Sequence, residues 1–447
     1  MTERIFGTDG IRGEAGKGWL ALDRVSALGR ALGRILGQHT DDRRAILGHD
    51  GRASGPTIAN ALASGLAEAG FSGASAGLIT TPGLAIVGNL KGFGLGVMIS
   101  ASHNPAKDNG IKIFAAKGGK LSDELEIEIE AELRRDLTSA SDGDQLREDP
   151  SFAAIYSDYL SQHASPSLAL DGMRIAIDCA NGAGSKIAPK VFANFGGDVT
   201  TLAANPSGDN INLRCGSTHP EDLQELVKTT DAEIGIALDG DGDRCILVDE
   251  NGELVHGDGI MTALARHAAV KGDYPDRRIV ATIMSNRGLH RALREVDVEV
   301  VTVGVGDRRV VEEMRREGLT LGGEQSGHIV FGDDHFFTGD GIYTALRVLG
   351  VMRETGLPLS KLVAPYQPYP QILVNVPVLR KPAISELEQV DEVRCRVEAE
   401  LGQDGRVLLR YSGTEDLLRI MVEGPDQARI QEQASELASL VSQAIGA

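Results

Sequence analysis

The run LDGDGDRC carries Asp239, Asp241 and Asp243 alternating with Gly240 and Gly242, directly after the apolar stretch EIGIAL. In a regular strand, carboxylates two apart stand about 7 Å from one another, too far to share an ion. Glycine lifts that restriction. The loop can curl until the three carboxylates face each other, and repulsion on the order of 4 kcal/mol per close pair then calls for a cation. All-oxygen donors select a hard ion, magnesium or calcium. Asp239, Asp241, Asp243 and Glu250 also fit acidic positions of a helix-loop-helix calcium site, but Arg244 stands where that loop needs glycine and a strand pattern precedes it. The loop reads as a magnesium site with open coordination positions, against the alternative of a solvated acidic turn.

A second stretch, ISASHNPAKDNGIK, runs from Ile99 to Lys112 and sets Ser102 beside His103. A serine ahead of Asn104 and Pro105 commonly bonds its own backbone in a turn. The nucleophilic reading with His103 as base is weak, because neighbours in extended chain face opposite ways and no Gly-x-Ser-x-Gly elbow surrounds the serine. A nucleophilic Ser102 therefore needs activation from elsewhere in the chain.

Further polar loops follow apolar runs in the same way: VEVVTVGVGDRRV with Gly304, Gly306, Asp307 and Arg308; LTLGGEQSGH with Glu324, Ser326 and His328; LLRYSGTEDLLR with Arg410, Ser412, Gly413, Thr414 and Arg419. In open α/β sheets ligands bind beyond the carboxyl ends of strands, which is where such loops lie. Glu324 accepting and Ser326 donating would suit vicinal sugar hydroxyls, with a glycine-rich turn as the alternative. Backbone N–H groups around Ser412 to Thr414, flanked by two arginines, would suit a phosphate, with a hairpin turn as the alternative. Arg12 in the tight glycine turn GTDGIRG and Lys112 in KDNGIK are, taken singly, as readily surface as site.

The elements that must position these loops alternate between short β-type runs and helical patterns, the signature of α/β layers. RAILGHD reads as a strand and SGPTIANALASGLAEAG as the helix after it, with Ser54 as N-cap, Pro56 in the first turn and Gly70 as stop. Similar units start near residues 173 and 277. A polar stretch places a boundary near residue 150 and the NGELVHGDG turn another near 255, so that the domains read 1–150, 151–255 and 256–366. The proline-rich APYQPYPQ, 364–371, reads as an extended linker that could act as a hinge. A smaller α+β domain, 371–447, follows.

With 447 residues the chain needs several cores. Its 64 acidic against 45 basic side chains, net charge −19, argue against nucleic acid and against an anionic membrane as partners. The cysteines at 179, 215, 245 and 395 have no metal-type spacing and fit a reducing compartment. No apolar leader or membrane-length run is seen, so a cytoplasmic location is expected.

Taken together, GTDGIRG, SASHNP, DGDGD, GEQSGH and RYSGTE, in this order, resemble the α-D-phosphohexomutase family, from the first residues to the last domain. The resemblance implies three similar α/β domains with mixed sheets and a smaller C-terminal α+β domain around a central cleft. It also implies an intramolecular phosphotransferase in which Ser102 is phosphorylated. By motif, Asp239, Asp241 and Asp243 would hold one Mg²⁺ per chain together with a Ser102 phosphoryl oxygen, and Arg244 would adjoin the metal loop. Gly306, Asp307, Arg308, Glu324 and Ser326 would meet the substrate, while Arg410, Ser412, Gly413, Thr414 and Arg419 would hold its non-transferring phosphate. Arg12 would lie near the transferring phosphoryl, with Lys112 and His328 as candidates for general acid and base. The implied small-molecule partner is a hexosamine phosphate, with a sugar 1,6-bisphosphate as intermediate or activator and a homodimer as candidate assembly. Rival readings are a non-catalytic sugar-phosphate sensor and a phosphatase. One departure stands out: Asp416 occupies a position where the family usually has proline, and an extra carboxylate beside a phosphate is unfavourable unless it points away.

Overall fold

The structure is a computed structural model that describes residues 4–7, 9–115, 119–138, 145–164, 168–272, 274, 276–412 and 415–446. Two compact units divide the chain, Met1–Met284 with Val300–Val363 and Ser285–Glu299 with Ala364–Ala447.

The larger unit repeats one wiring pattern. β1 (Ile11–Glu14), β2 (Arg44–His49), β3 (Ser72–Leu78), β4 (Leu95–Ile99) and β5 (Asp108–Ala115) form a sheet in the order β1-β5-β4-β2-β3. In it β2 runs parallel to β3 and β4, and β5 returns antiparallel to β4 and β1. β6 (Arg174–Asp178), β7 (Asp198–Leu202), β8 (Ile234–Leu238), β9 (Cys245–Val248) and β10 (Leu254–Val255) repeat this as β10-β9-β8-β6-β7, with the same parallel and antiparallel pairs. β11 (Arg278–Thr282), β12 (Glu299–Val303), β13 (Leu321–Gly323) and β14 (Ile329–Phe331) give β12-β11-β13-β14, where β13 is parallel to β11 and antiparallel to β14. The expected mixed sheets follow.

This wiring decides where the chemistry sits. The connection from a parallel strand to its antiparallel return occupies one equivalent place in each sheet. The β4–β5 connection carries Ser102, β8–β9 carries Asp239 to Asp243, and β13–β14 carries Glu324 and Ser326.

The strands ahead of the first two connections are LGVMI and IGIAL, and every residue in both is buried. Such unbroken apolar runs belong to strands covered on both faces. Over the first sheet, helices Leu22–Leu36 and Gly55–Glu68 touch backbone to backbone. A Cβ on Gly29 would stand 2.1 Å from the Leu62 carbonyl oxygen, and one on Gly65 1.9 Å from that of Ser26. Ser54 does precede the second helix, but its φ of −77° and ψ of −13° are helical, and its side chain makes no capping bond. Its hydroxyl accepts instead from Asn109 Nδ2 at 2.8 Å. Gly70, at φ 83°, lies just beyond the helix end.

The smaller unit is a three-stranded antiparallel sheet, β15 (Gln371–Pro377), β16 (Arg406–Tyr411) and β17 (Leu417–Glu423), ordered β15-β17-β16. Val376, Val397, Leu418, Ile420, Leu437 and Val441 are among its core residues, and helices Glu388–Leu401 and Gln427–Ile445 supply part of that core. The helix Arg287–Arg294, expected after the third strand motif, belongs to this unit. Asn286 caps it by accepting from Gly288 N at 2.8 Å. The same side chain holds Tyr369 of the proline-rich segment, accepting from its N–H at 2.8 Å and donating to its carbonyl at 3.0 Å. Among the described residues, no helix is long and apolar enough to cross a membrane.

Candidate active site

Ser102 adopts φ 53°, a left-handed conformation that costs a non-glycine residue on the order of 1 kcal/mol or more. Every backbone group there has a partner: its N–H donates to Ser100 Oγ at 2.8 Å, and its carbonyl accepts from Arg52 at 2.9 Å and from Asn212 Nδ2 at 2.8 Å. The hydroxyl is aimed at the metal loop and donates to Asp239 Oδ2 at 2.6 Å. The left-handed turn also corrects the expectation for His103. The chain is not extended here, and His103 Nδ1 comes within 3.3 Å of Ser102 Oγ. Burial, with Arg244 and Arg12 nearby, lowers the His103 pKa.

Asp239, Asp241 and Asp243 are all buried, and a ligand oxygen from each lies within 4.8 Å of the others. Their two oxygens divide the work. Oδ2 of Asp241 and of Asp243 accept from Lys112 Nζ at 2.7 and 2.9 Å, and Thr81 Oγ1 also donates to Asp241. Oδ1 of Asp241 and of Asp243 are buried with no hydrogen-bond partner among the described residues. Asp243 Oδ1 has only the longer approaches of His328 Nδ1 at 3.7 Å and Arg244 Nε at 3.8 Å. Buried carboxylate oxygens without hydrogen bonds are costly unless a cation joins them. Burial, reinforced by the Asp243 and Asp241 charges, pushes the Asp239 pKa well up, as expected of a carboxylate awaiting a positive partner. Burial would raise Asp243 too, but Lys112, His328 and Arg244 hold it well below the usual range. These oxygens fit a hard divalent cation.

Lys112 is not the surface residue its local sequence allows. It is buried, and besides the two loop carboxylates it meets Asp9 Oδ2 at 3.2 Å. Burial alone would lower its pKa, yet Asp241, Asp243 and Asp9 drive it well above the ordinary lysine value. Arg12 lies on β1 just past the glycine turn, which closes from Gly7 N to Gly10 O at 2.8 Å, and donates to Asp9 Oδ2 at 3.0 Å. Lys120 donates to Asp9 Oδ1 and to Asp307 Oδ2. His328 lies between Asp243 and Asp307, each 3.7 Å from one ring nitrogen. Burial opposes its protonation, but Asp243, Asp307 and Glu324 outweigh burial and raise its pKa.

A cleft of about 440 Å³ opens beside this cluster, lined in part by Arg12, Arg244, Gly306, Asp307, Glu324 and His328. Glu324 Oε1 accepts from Gly306 N at 3.2 Å and Ser326 Oγ lies 3.5 Å from Oε2. Arg308 lines an adjoining cavity together with Lys112, Asp243, Asp307 and His328. Its guanidinium is taken up by Asp123 at 2.9 Å and Glu312 at 3.1 Å.

In the smaller unit the loop expected to cradle phosphate joins β16 to β17 as a hairpin. Arg410 and Arg419 stand directly opposite each other in the register. Ser412 is buried and its Oγ accepts from Glu415 N at 3.3 Å; Gly413 and Thr414 lie outside the described residues. Asp416 is 86% exposed and pairs with Lys381 at 3.2 Å, while Lys381 also donates to the carbonyls of Ser412 and Glu415. Local motif reading missed Asp9, Lys120, Arg52, Asn212 and Lys381. Only Asp9, inside GTDGIRG beside Arg12, carried a usable signal.

Models of the phosphoglucomutase/phosphomannomutase family match the chain in succession. The alpha/beta/alpha domains I, II and III match residues 3–139, 154–252 and 256–369, and the C-terminal domain matches 373–440. A phosphoglucosamine mutase of Ligilactobacillus salivarius is 45% identical over 450 residues, covering 99% of both chains. Another, of Anaeromyxobacter dehalogenans, is 44% identical over 460 residues and covers 100% of both. Among solved structures, a phosphoglucomutase/phosphomannomutase family protein from Burkholderia thailandensis matches with a TM-score of 0.83 at 25% identity, over 99% of this chain and 98% of that one. The fold is shared also with an Aspergillus fumigatus N-acetylphosphoglucosamine mutase solved with GlcNAc-6P and magnesium, at a TM-score of 0.64 and 18% identity, over 98% and 95% of the two chains.

Proposed function

The chain belongs to the phosphoglucomutase/phosphomannomutase family, and from its likeness along its whole length to phosphoglucosamine mutases we infer that it interconverts glucosamine 6-phosphate and glucosamine 1-phosphate by passing a phosphoryl group through Ser102. It is an intramolecular phosphotransferase, an isomerase. The observation that carries the reading is the Ser102 hydroxyl, held 2.6 Å from one carboxylate of a buried three-aspartate cage.

Phosphoryl transfer needs positioning and charge neutralisation more than covalent chemistry from the protein. Asp239, Asp241 and Asp243 would hold Mg²⁺, which when bound offsets the charge of the transferring phosphoryl. In the cycle we assign, phospho-Ser102 gives its phosphoryl group to the free hydroxyl of the bound monophosphate; that hydroxyl's proton passes to a base, and the departing Ser102 Oγ takes up a proton to become the free hydroxyl. The resulting 1,6-bisphosphate reorients and returns its other phosphoryl group to Ser102. Lys112, enclosed by Asp9, Asp241 and Asp243, would supply a positive charge beside the transferring phosphoryl. His328, between Asp243 and Asp307 on the cleft wall, is the better proton carrier. Arg12 and Arg244 line the same cleft and would meet phosphate oxygens, while Glu324 and Ser326 would take sugar hydroxyls. Arg410, Ser412 and Arg419, with their loop, would hold the phosphate that is not transferred. A cytoplasmic setting suits four free cysteines.

The test is side-by-side turnover of the 6-phosphates of glucosamine, glucose and mannose, with sugar 1-phosphate and free phosphate both measured. Glucosamine 6-phosphate should be favoured, with sugar 1-phosphate far exceeding free phosphate. Predominant release of phosphate would make this a phosphatase, and binding without conversion a sensor. Preference for glucose or mannose would point to the sibling phosphoglucomutase and phosphomannomutase activities.

A further inference from the structure

The loop bearing Ser102 is held by the buried side chain of Arg52. The Arg52 side chain is 0% exposed and its Nε donates to Asp50 Oδ2 at 2.9 Å. Its other nitrogens reach carbonyls on both sides of the turn: Ser102 at 2.9 Å, Asn104 at 2.8 Å, Asp108 at 2.9 Å, and Pro105. One guanidinium thus collects the outward carbonyls of the β4–β5 connection, a task suited to its planar fork of donors and beyond a single ammonium. Asp50 holds the other side of the same turn. It accepts from Ser100 Oγ at 2.6 Å, and Ser100 Oγ accepts in turn from the Ser102 N–H at 2.8 Å. Asn212 completes the enclosure from the second sheet's domain by donating to the carbonyls of Ser102 at 2.8 Å and Asn104 at 3.1 Å.

Resting on the reading of Ser102 as phosphoryl carrier, we propose that Asp50, Arg52, Ser100 and Asn212 are positioning residues that fix the left-handed backbone at Ser102, so that phosphoryl transfer to sugar outruns transfer to water. Both sides of the Ser102 peptide are fastened, leaving Oγ as the atom aimed at Asp239. Release of either fastening lets the backbone relax toward commoner dihedrals and swings the ester off line. Water can then attack the phosphoserine, giving serine and inorganic phosphate, where the sugar hydroxyl would otherwise take the phosphoryl group.

The test uses the full chain with Ser100→Ala, Arg52→Lys and Asn212→Ala beside wild type and Ser102→Ala. Ser100→Ala removes one hydroxyl only and keeps the test open if Arg52→Lys fails to fold. Each positioning variant is expected to lose about tenfold to a hundredfold in kcat, with KM for glucosamine 6-phosphate within about twofold. Phosphate released per sugar 1-phosphate formed should rise several-fold. Simple loss of folded protein lowers isomerisation and phosphate release together, so an unchanged ratio, or an unchanged kcat, would overturn the proposal while leaving the function intact. Turnover surviving in Ser102→Ala would overturn both.

Discussion

The Ser102 hydroxyl donates to Asp239 at 2.6 Å across 137 residues of chain. The two meet because each lies on the connection from a parallel strand to its antiparallel return, in two sheets of the same wiring. The approach is close enough to dictate a neighbour. A Cβ on Gly240 would stand 2.6 Å from the Ser102 carbonyl oxygen and 2.8 Å from Asn212 Nδ2.

Gly240→Ala is therefore expected to push the metal loop off the serine loop. Overpacking of this kind costs about 1–3 kcal/mol of stability, and a displacement near 1 Å at reacting groups costs about a hundredfold in rate. Thermal unfolding and kcat measured on one preparation check both, and near-normal kcat would mean that the two loops need not touch.

The buried Oδ1 atoms of Asp241 and Asp243, which have no hydrogen-bond partner among the described residues, make a prediction about metal. Mg²⁺ at a hundred times its Kd should stabilise the chain by about 2.7 kcal/mol, since a ligand of the folded state alone shifts the equilibrium by mass action. Chelation should remove both this gain and turnover, and Mg²⁺ should restore them. Asp243→Asn should erase most of the stabilisation in a thermal melt; equal melting with and without Mg²⁺ in the wild type would contradict the assignment.

Much of this was legible in the sequence because glycine spacing and carboxylate type are local signals. DGDGD announces its curl, and LGVMI and IGIAL announce covered strands. What was hidden depends on partners far along the chain. Nothing near Lys112 reveals that three carboxylates will enclose it, and nothing near Arg52 reveals the carbonyls it will collect. His103 was misjudged because alternation of neighbours assumes extended backbone, and Ser102 is left-handed. Asp416 likewise finds a partner its local sequence does not show: its exposed carboxylate pairs with Lys381, on another segment.

His290, in the smaller unit, supplies a pH dependence. Burial, with Arg287, Arg406 and Arg294, depresses its pKa from 6.5 to about 4. As pH falls below 6.5 the unfolded chain binds a proton that the folded chain refuses, so the contribution is intact above about 6.5 and is lost progressively down to about 4. The loss is on the order of 2 kcal/mol at pH 5. Urea unfolding at pH 7.5 and 5 should show it, and His290→Gln should remove that part of the difference.

The facing arginines of the last sheet make the final prediction. Like charges directly opposite on neighbouring strands repel, and Arg410 and Arg419 hold such a pair at the mouth of the SGTED hairpin. Glu415 meets Arg419 at 3.2 Å, but Nε of Arg419 is buried without a hydrogen-bond partner among the described residues. A bound phosphate would relieve the repulsion and take up free donors. Inorganic phosphate is accordingly expected to raise the melting temperature, and Arg419→Ala to abolish that rise. Loss of one charged hydrogen-bond partner, about 1.5–3 kcal/mol, should raise KM for the sugar phosphate by about tenfold to a hundredfold. If Arg419→Ala lowers kcat instead and leaves KM and the phosphate-dependent melting shift unchanged, the loop does not hold the non-transferring phosphate.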